Sequence, residues 1–155
     1  GLSYRMAGEG NMIRVTLKAD FSAAHRLHSP ELSAEDNKSL FGKCNNPSGH
    51  GHNYIVEATL EGNLNAASGR AADVEKLQIL VQKCADRFDH KHLNEDCPEF
   101  SNLNPTAENV SRVLFDMVKT KALPAKLVKI GIRETEKNYF EYEEDESCEP
   151  RADSR

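Results

Sequence analysis

No apolar run in this sequence approaches the roughly 18 residues that a membrane-crossing helix requires, so a helical membrane protein is excluded. Nor is there a surplus of positive charge. Lys and Arg total 20 against 25 Asp and Glu, the formal net charge is -5, and the acidity gathers in "EYEEDESCEP". A nucleic-acid binder needs a basic face to meet phosphates, and none is legible. The cysteines Cys44, Cys84, Cys97 and Cys148 never pair as C-x-x-C, which argues against a disulfide framework and against a four-thiolate zinc site. Such cysteine usage suits a reducing compartment, and a cytoplasmic location is the expectation. No internal repeat is visible, and no glycine-rich loop is shaped to cradle phosphate. Residues 1–11, "GLSYRMAGEGN", lack the apolar stretch of a targeting segment and are expected to be a flexible lead.

What is present suits one domain over residues 12–143, because 155 residues can bury roughly 70% of the surface the unfolded chain exposes. Residues 144–155 read as an acidic, disordered tail. From Met12, "MIRVTLKADFSAAH" alternates: Ile13, Val15, Leu17, Ala19, Phe21, Ala23 and His25 share one face of a half-buried strand. Residues 28–49 form a long Ser, Asn, Pro and Gly-rich loop with a short helical turn near Ser33 to Leu40. In "HGHNYIVEATLEG", His50, His52, Tyr54, Val56, Ala58 and Leu60 share the apolar face of a second strand. Asp73 caps a helix with Val74, Leu77, Leu80, Val81, Cys84 and Phe88 on its stripe, and Thr106 caps another with Val110, Val113, Leu114, Met117 and Val118. Pro124 ends that helix. A strand placing Val128, Ile130, Ile132 and Glu134 on one face follows, then a strand through "NYFEY". The order ββααββ predicts an α+β fold, with an antiparallel sheet covered by helices on one side.

His50 and His52 stand at i and i+2 of a strand, about 6.6 to 7 Å apart along it, and inward-leaning rings can close that gap onto one cation. His25, ending the neighbouring strand on its inner face, supplies a third nitrogen. Three imidazoles favour Zn²⁺ while also accepting Fe²⁺, Co²⁺ or Ni²⁺, and they leave a position open for water or substrate. Spacing alone leaves the plainer reading open, that these are satisfied core histidines. His28 falls off the strand parity and is expected to be exposed. His90 and His92, in the polar stretch "DHKH", could be merely solvated, or Asp89 could orient His90 for acid and base work. Cys44, after Lys43 and six residues before His50, is a candidate reactive thiol whose pKa a cation and a lysine would lower, or an ordinary loop cysteine. Glu134 continues an apolar face, where a carboxylate could accept two parallel N–H bonds from a planar ligand, unless the strand has simply ended there.

Taken together, "FSAAHRL", "LFGKCNNPSGHGHNY", "DHKHLN", "PTAENV" and "IRETEKNYF" resemble the 6-pyruvoyltetrahydropterin synthases over about Ile13 to Tyr142. The specific element is Cys-Asn-Asn-Pro-x-Gly-His-Gly-His. The resemblance implies the tunnelling (T-fold) architecture: a four-stranded antiparallel sheet with two helices on one side, three sheets closing into a barrel, and two trimers stacked as a homohexamer. It implies a zinc-dependent lyase that converts 7,8-dihydroneopterin triphosphate to 6-pyruvoyl-tetrahydropterin with release of triphosphate, in tetrahydrobiopterin biosynthesis. Carried over by motif, His25, His50 and His52 hold Zn²⁺, and Cys44 is the general base. Asp89 and His90 complete a proton relay across a subunit boundary, and Glu134 anchors the pterin with Thr106 and Glu108. Arg26 and Lys43 are candidates for contacting the triphosphate, which Mg²⁺ could accompany. Ser48, Ile55, His92 and Ala107 depart from the family's pattern without removing a ligand or base. The rival reading is 6-carboxytetrahydropterin synthase of the queuosine pathway, where three residues rather than the five of "NNPSG" typically separate Cys from the first His. A non-catalytic metal- or pterin-binding module is the other rival.

Overall fold

A computed structural model describes residues 11–145; most of the expected lead, most of the expected tail, and Cys148 lie outside the described residues. In chain order the elements are β1 (Met12–His25), α1 (Ala34–Phe41), a 3-10 turn (Gly42–Asn45), β2 (His50–Asn63) and α2 (Val74–Asp86). Then come β3 (Lys91–His92), α3 (Leu93–Asp96), α4 (Ala107–Lys121), β4 (Lys126–Thr135) and β5 (Asn138–Glu143). The sheet order is β3-β1-β2-β4-β5.

β1 and β2 pair antiparallel along their whole length, from Met12 opposite Asn63 to His25 opposite His50. Alternation sets that register: Leu17, Ala19, Phe21 and Ala23 are buried beside Tyr54, Val56, Ala58 and Leu60. A slip of one residue would turn both sets to water. α2 and α4 cover this face with Leu77, Val81, Cys84, Val110, Leu114, Phe115 and Val118, all buried. Each large apolar side chain so placed contributes about 1.5–3 kcal/mol. Both caps form as the sequence predicts, Asp73 accepting from the Lys76 amide at 3.2 Å and Thr106 from the Asn109 amide at 3.2 Å. Ser33 caps α1, accepting from the Asp36 amide at 3.0 Å.

Two expectations change. The sheet has five strands, and the added one is parallel: β3 pairs with β1 at Ala23 and Ala24. Two residues are too few to show alternation, and the chain reaches that edge only through a turn in which His90 adopts φ 57°. Second, Val128 does not share the face of Ile130. The register against β2 shifts between Thr59 and Leu60, so Leu127 opposes Leu60 and Lys129 opposes Thr59. Val128 is the extra residue of a bulge, and Leu127 takes the buried place.

Candidate metal centre

The apolar ladder of β1 and β2 ends in histidines. Phe21 stacks on Tyr54 at 4.7 Å between ring centroids; the next pair along that face is Ala23 and His52, and the one after it is His25 and His50. Their centroids lie 4.8 Å (His25–His50), 5.1 Å (His25–His52) and 4.6 Å (His50–His52) apart. One nitrogen from each lies within 4.8 Å of the others. His25 Nε2, His50 Nδ1 and His52 Nε2 are buried with no hydrogen-bond partner. Each unpaired buried polar atom costs about 1–3 kcal/mol, so the cluster is costly as mere core. As a metal-ligand set it has the right chemistry: neutral nitrogen donors, converging, with nothing else to bind.

The protein sets the protonation state of these rings. His25 Nδ1 lies 2.7 Å from the Pro105 carbonyl, which can only accept, so Nδ1 carries the proton and Nε2 keeps its lone pair. The Tyr54 hydroxyl sits 3.2 Å from the same nitrogen. Burial holds the His25 pKa down at about 4, against the Pro105 bond and with help from His50, His52 and His92. Burial lowers His50 and His52 too, and neutral imidazole is the form that binds metals. The approach to His50 needs a glycine. Gly49 has φ 73°, and a Cβ there would meet the His25 carbonyl oxygen at 2.7 Å and His92 Nε2 at 3.0 Å.

Glu134 reaches the cluster, its Oε2 4.0 Å from His25 Nε2. Burial raises its pKa, a bond from Asn138 opposes this, and the nearby Glu108 carboxylate raises it further. Glu134 and Glu108 therefore share one field, with Thr106 beside Pro105 at the head of α4. Cys44 sits half-buried in the 3-10 turn, and burial and then Glu134 push its thiol up. The lowering expected from Lys43 does not arise, because Lys43 is exposed to solvent.

Asp89 and His90 stand elsewhere, at the outer edge of β1. Asp89 Oδ1 accepts from the Ser22 amide at 2.8 Å, and Asp89 Oδ2 lies 3.4 Å from His90 Nε2. The His90 side chain is 83% exposed, and among the described residues no hydrogen bond or ion pair joins this dyad to Cys44. Arg26 and Lys43 line a groove with Gly42 and Asn45 of the same turn, and Cys44 is not among its lining residues. His28 is half-buried and bound to Asn45 rather than free in solvent. His92 is likewise half-buried, with Nδ1 buried and unpartnered.

Sequence reasoning passed over Tyr54, Pro105, Asn45 and Asn94. Tyr54 shares the parity of His50 and His52 and was within reach of that signal. Asn94 clamps the Arg26 backbone from 68 positions away, accepting at 2.7 Å and donating at 2.8 Å. Nothing in a linear pattern marks such a contact.

The family model for 6-pyruvoyl tetrahydropterin synthase matches residues 14–145. A putative 6-pyruvoyl tetrahydrobiopterin synthase from Caenorhabditis elegans is 44% identical over 123 residues, 79% of this chain and 88% of that one. The solved structure of a C. elegans 6-pyruvoyl tetrahydropterin synthase superposes with TM-score 0.83 at 38% identity, over 92% of this chain and all of that chain. By contrast, a 6-carboxy-5,6,7,8-tetrahydropterin synthase from Rickettsia typhi is 30% identical over 116 residues, 64% of this chain and 75% of that one. With its cysteine-to-histidine loop intact and its three imidazoles converging, this chain belongs to the 6-pyruvoyl tetrahydropterin synthase family.

Proposed function

We propose that this chain is a lyase of tetrahydrobiopterin biosynthesis, converting 7,8-dihydroneopterin triphosphate to 6-pyruvoyl-tetrahydropterin and releasing triphosphate. The observation that carries the reading is the set of three buried, unpartnered imidazole nitrogens, with Glu134 Oε2 4.0 Å from His25 Nε2 and Cys44 within the field of Glu134. His25, His50 and His52 would hold Zn²⁺, which when bound supplies Lewis acidity toward the substrate's side-chain hydroxyls and the C–H bonds beside them.

The chain's own residues divide the remaining work. Glu134, within the field of Glu108 and 4.0 Å from His25, accepts the paired N–H groups of the pterin's guanidine-like edge, with Thr106 alongside. That anchor sets the side chain of the substrate over the histidines. Cys44 takes the carbon-bound proton as general base. Asp89 orients His90 through their 3.4 Å contact, and the exposed ring is free to serve the Cys44 of a neighbouring copy. The proposal places that copy in a homohexamer with active sites between subunits. Mg²⁺ accompanies the triphosphate, and the enzyme works in the cytoplasm.

Cys44→Ala tests this reading. Turnover of 7,8-dihydroneopterin triphosphate is expected to fall by about 10²–10⁴, the range of a general base, with metal content and pterin binding retained. Unchanged turnover would point to a non-catalytic binding module. Product analysis separates the other rival: a retained three-carbon side chain supports the proposal, and a carboxylate with loss of acetaldehyde overturns it.

A further inference from the structure

The turn that carries Cys44 has two sides. Cys44 lies in the field of Glu134 on the histidine side. Its neighbours Lys43 and Asn45 line a separate groove of about 450 Å³ with Arg26, His28 and Lys38. No carboxylate lines that groove.

Its donors are arranged rather than merely adjacent. The Arg26 backbone is clamped by Asn94 at both its amide and its carbonyl, and Arg26 Nε donates to the Asn45 carbonyl at 3.0 Å. That bond fixes the guanidinium and leaves its terminal N–H groups for a ligand. Asn45 is 6% exposed, and its Nδ2 donates to the Leu27 carbonyl at 2.8 Å and to His28 Nδ1 at 3.1 Å. An amide NH₂ can only donate, so His28 Nδ1 accepts and the ring's proton sits on Nε2 as a donor. Lys38, in the last turn of α1, and Lys43 are exposed, and neither forms an ion pair among the described residues. One fixed guanidinium, two exposed lysines and one oriented imidazole donor thus line a groove without a carboxylate.

We infer that this groove is an oligophosphate subsite in which Lys38 and His28 join Arg26 and Lys43 in holding the substrate's triphosphate. Arg26 supplies planar, paired donors and the lysines supply point charges. The groove shares Gly42, Lys43 and Asn45 with the turn that carries Cys44, and the proposal places the phosphates there with the carbon chain directed toward His25. The identity of that ligand rests on the proposed reaction; the binding of a polyanion does not.

The test uses the full chain loaded with zinc, inorganic triphosphate as the probe, and Lys38→Gln, Lys43→Gln and their double variant. Lys83→Gln, on the exposed side of α2, is the control. Calorimetry is expected to show triphosphate affinity falling roughly tenfold per lysine, about 1.4 kcal/mol each, with no loss in the control. KM for 7,8-dihydroneopterin triphosphate should rise in parallel while kcat stays within about twofold, since uniform binding is what is removed. Should the double variant keep its triphosphate affinity and KM, or the unaltered protein fail to bind triphosphate at millimolar concentration, the inference is overturned. Triphosphate binding that depends on Lys38 and Lys43 in a protein without lyase turnover would keep the groove and sink the reaction.

Discussion

Two stretches of this chain carry the same His-x-His spacing, His50-Gly51-His52 and His90-Lys91-His92, and they do opposite things. The first opens β2, fully paired with β1, so both rings fall on the inner face and meet His25 at 4.8 and 5.1 Å. The second straddles the entry to β3. His90 is held at φ 57° with its amide bonded to Ser22, and its ring stands in solvent beside Asp89. His92 instead turns inward, its Nε2 within 3.0 Å of where a Gly49 Cβ would be. The spacing is therefore no signal by itself. It becomes one where the backbone is extended, paired along a long neighbouring strand and continuous with an apolar face.

The largest expected effect breaks the comparison at its strongest point. His52→Ala should lower metal affinity well beyond the roughly 10–100-fold that outer partners cost, whereas His90→Ala should leave it unchanged. Competition with a chromogenic chelator reads both, and equal losses would dissolve the distinction.

Acid should come next. His25 is folded with a pKa of about 4 against an ordinary 6.5, so below 6.5 the unfolded chain takes up a proton that the folded chain refuses. In chelator-stripped protein, stability is complete above pH 6.5 and declines as pH falls toward 4. The loss is on the order of 3 kcal/mol, read from urea midpoints across that window. A flat profile would mean that His25 is not held neutral by its surroundings.

Gly49→Ala should show a smaller cost. The left-handed φ and the 2.7 Å approach to the His25 carbonyl together predict a loss of about 1–3 kcal/mol in thermal unfolding, with weakened metal binding. An alanine tolerated with neither change would show that the turn does not aim His50.

Much of this fold was legible because its main elements are long and their periods clean. β1 and β2 run 14 residues each with one parity inward, and Asp73 and Thr106 cap α2 and α4 as their side-chain chemistry requires. The histidine triad was legible for the same reason, since it extends those parities. What stayed hidden lies where contacts skip along the chain. β3 is two residues long, the bulge at Val128 answers to register against β2, and the Asn45 and Asn94 amides hold backbone across 18 and 68 positions. Asparagine in a polar loop looks like solvated surface until its partners are known. The placement of His92 against Gly49 depends on β3 and was hidden with it.

X-ray absorption at the metal edge of the purified protein probes the centre most directly. The account predicts one transition metal per chain, ringed by nitrogen or oxygen scatterers at about 2.0–2.1 Å with imidazole signatures and no sulfur shell near 2.3 Å, because it proposes Cys44 as a base and not as a ligand. A sulfur ligand in that shell, or protein prepared without chelator that carries no such metal, would contradict it.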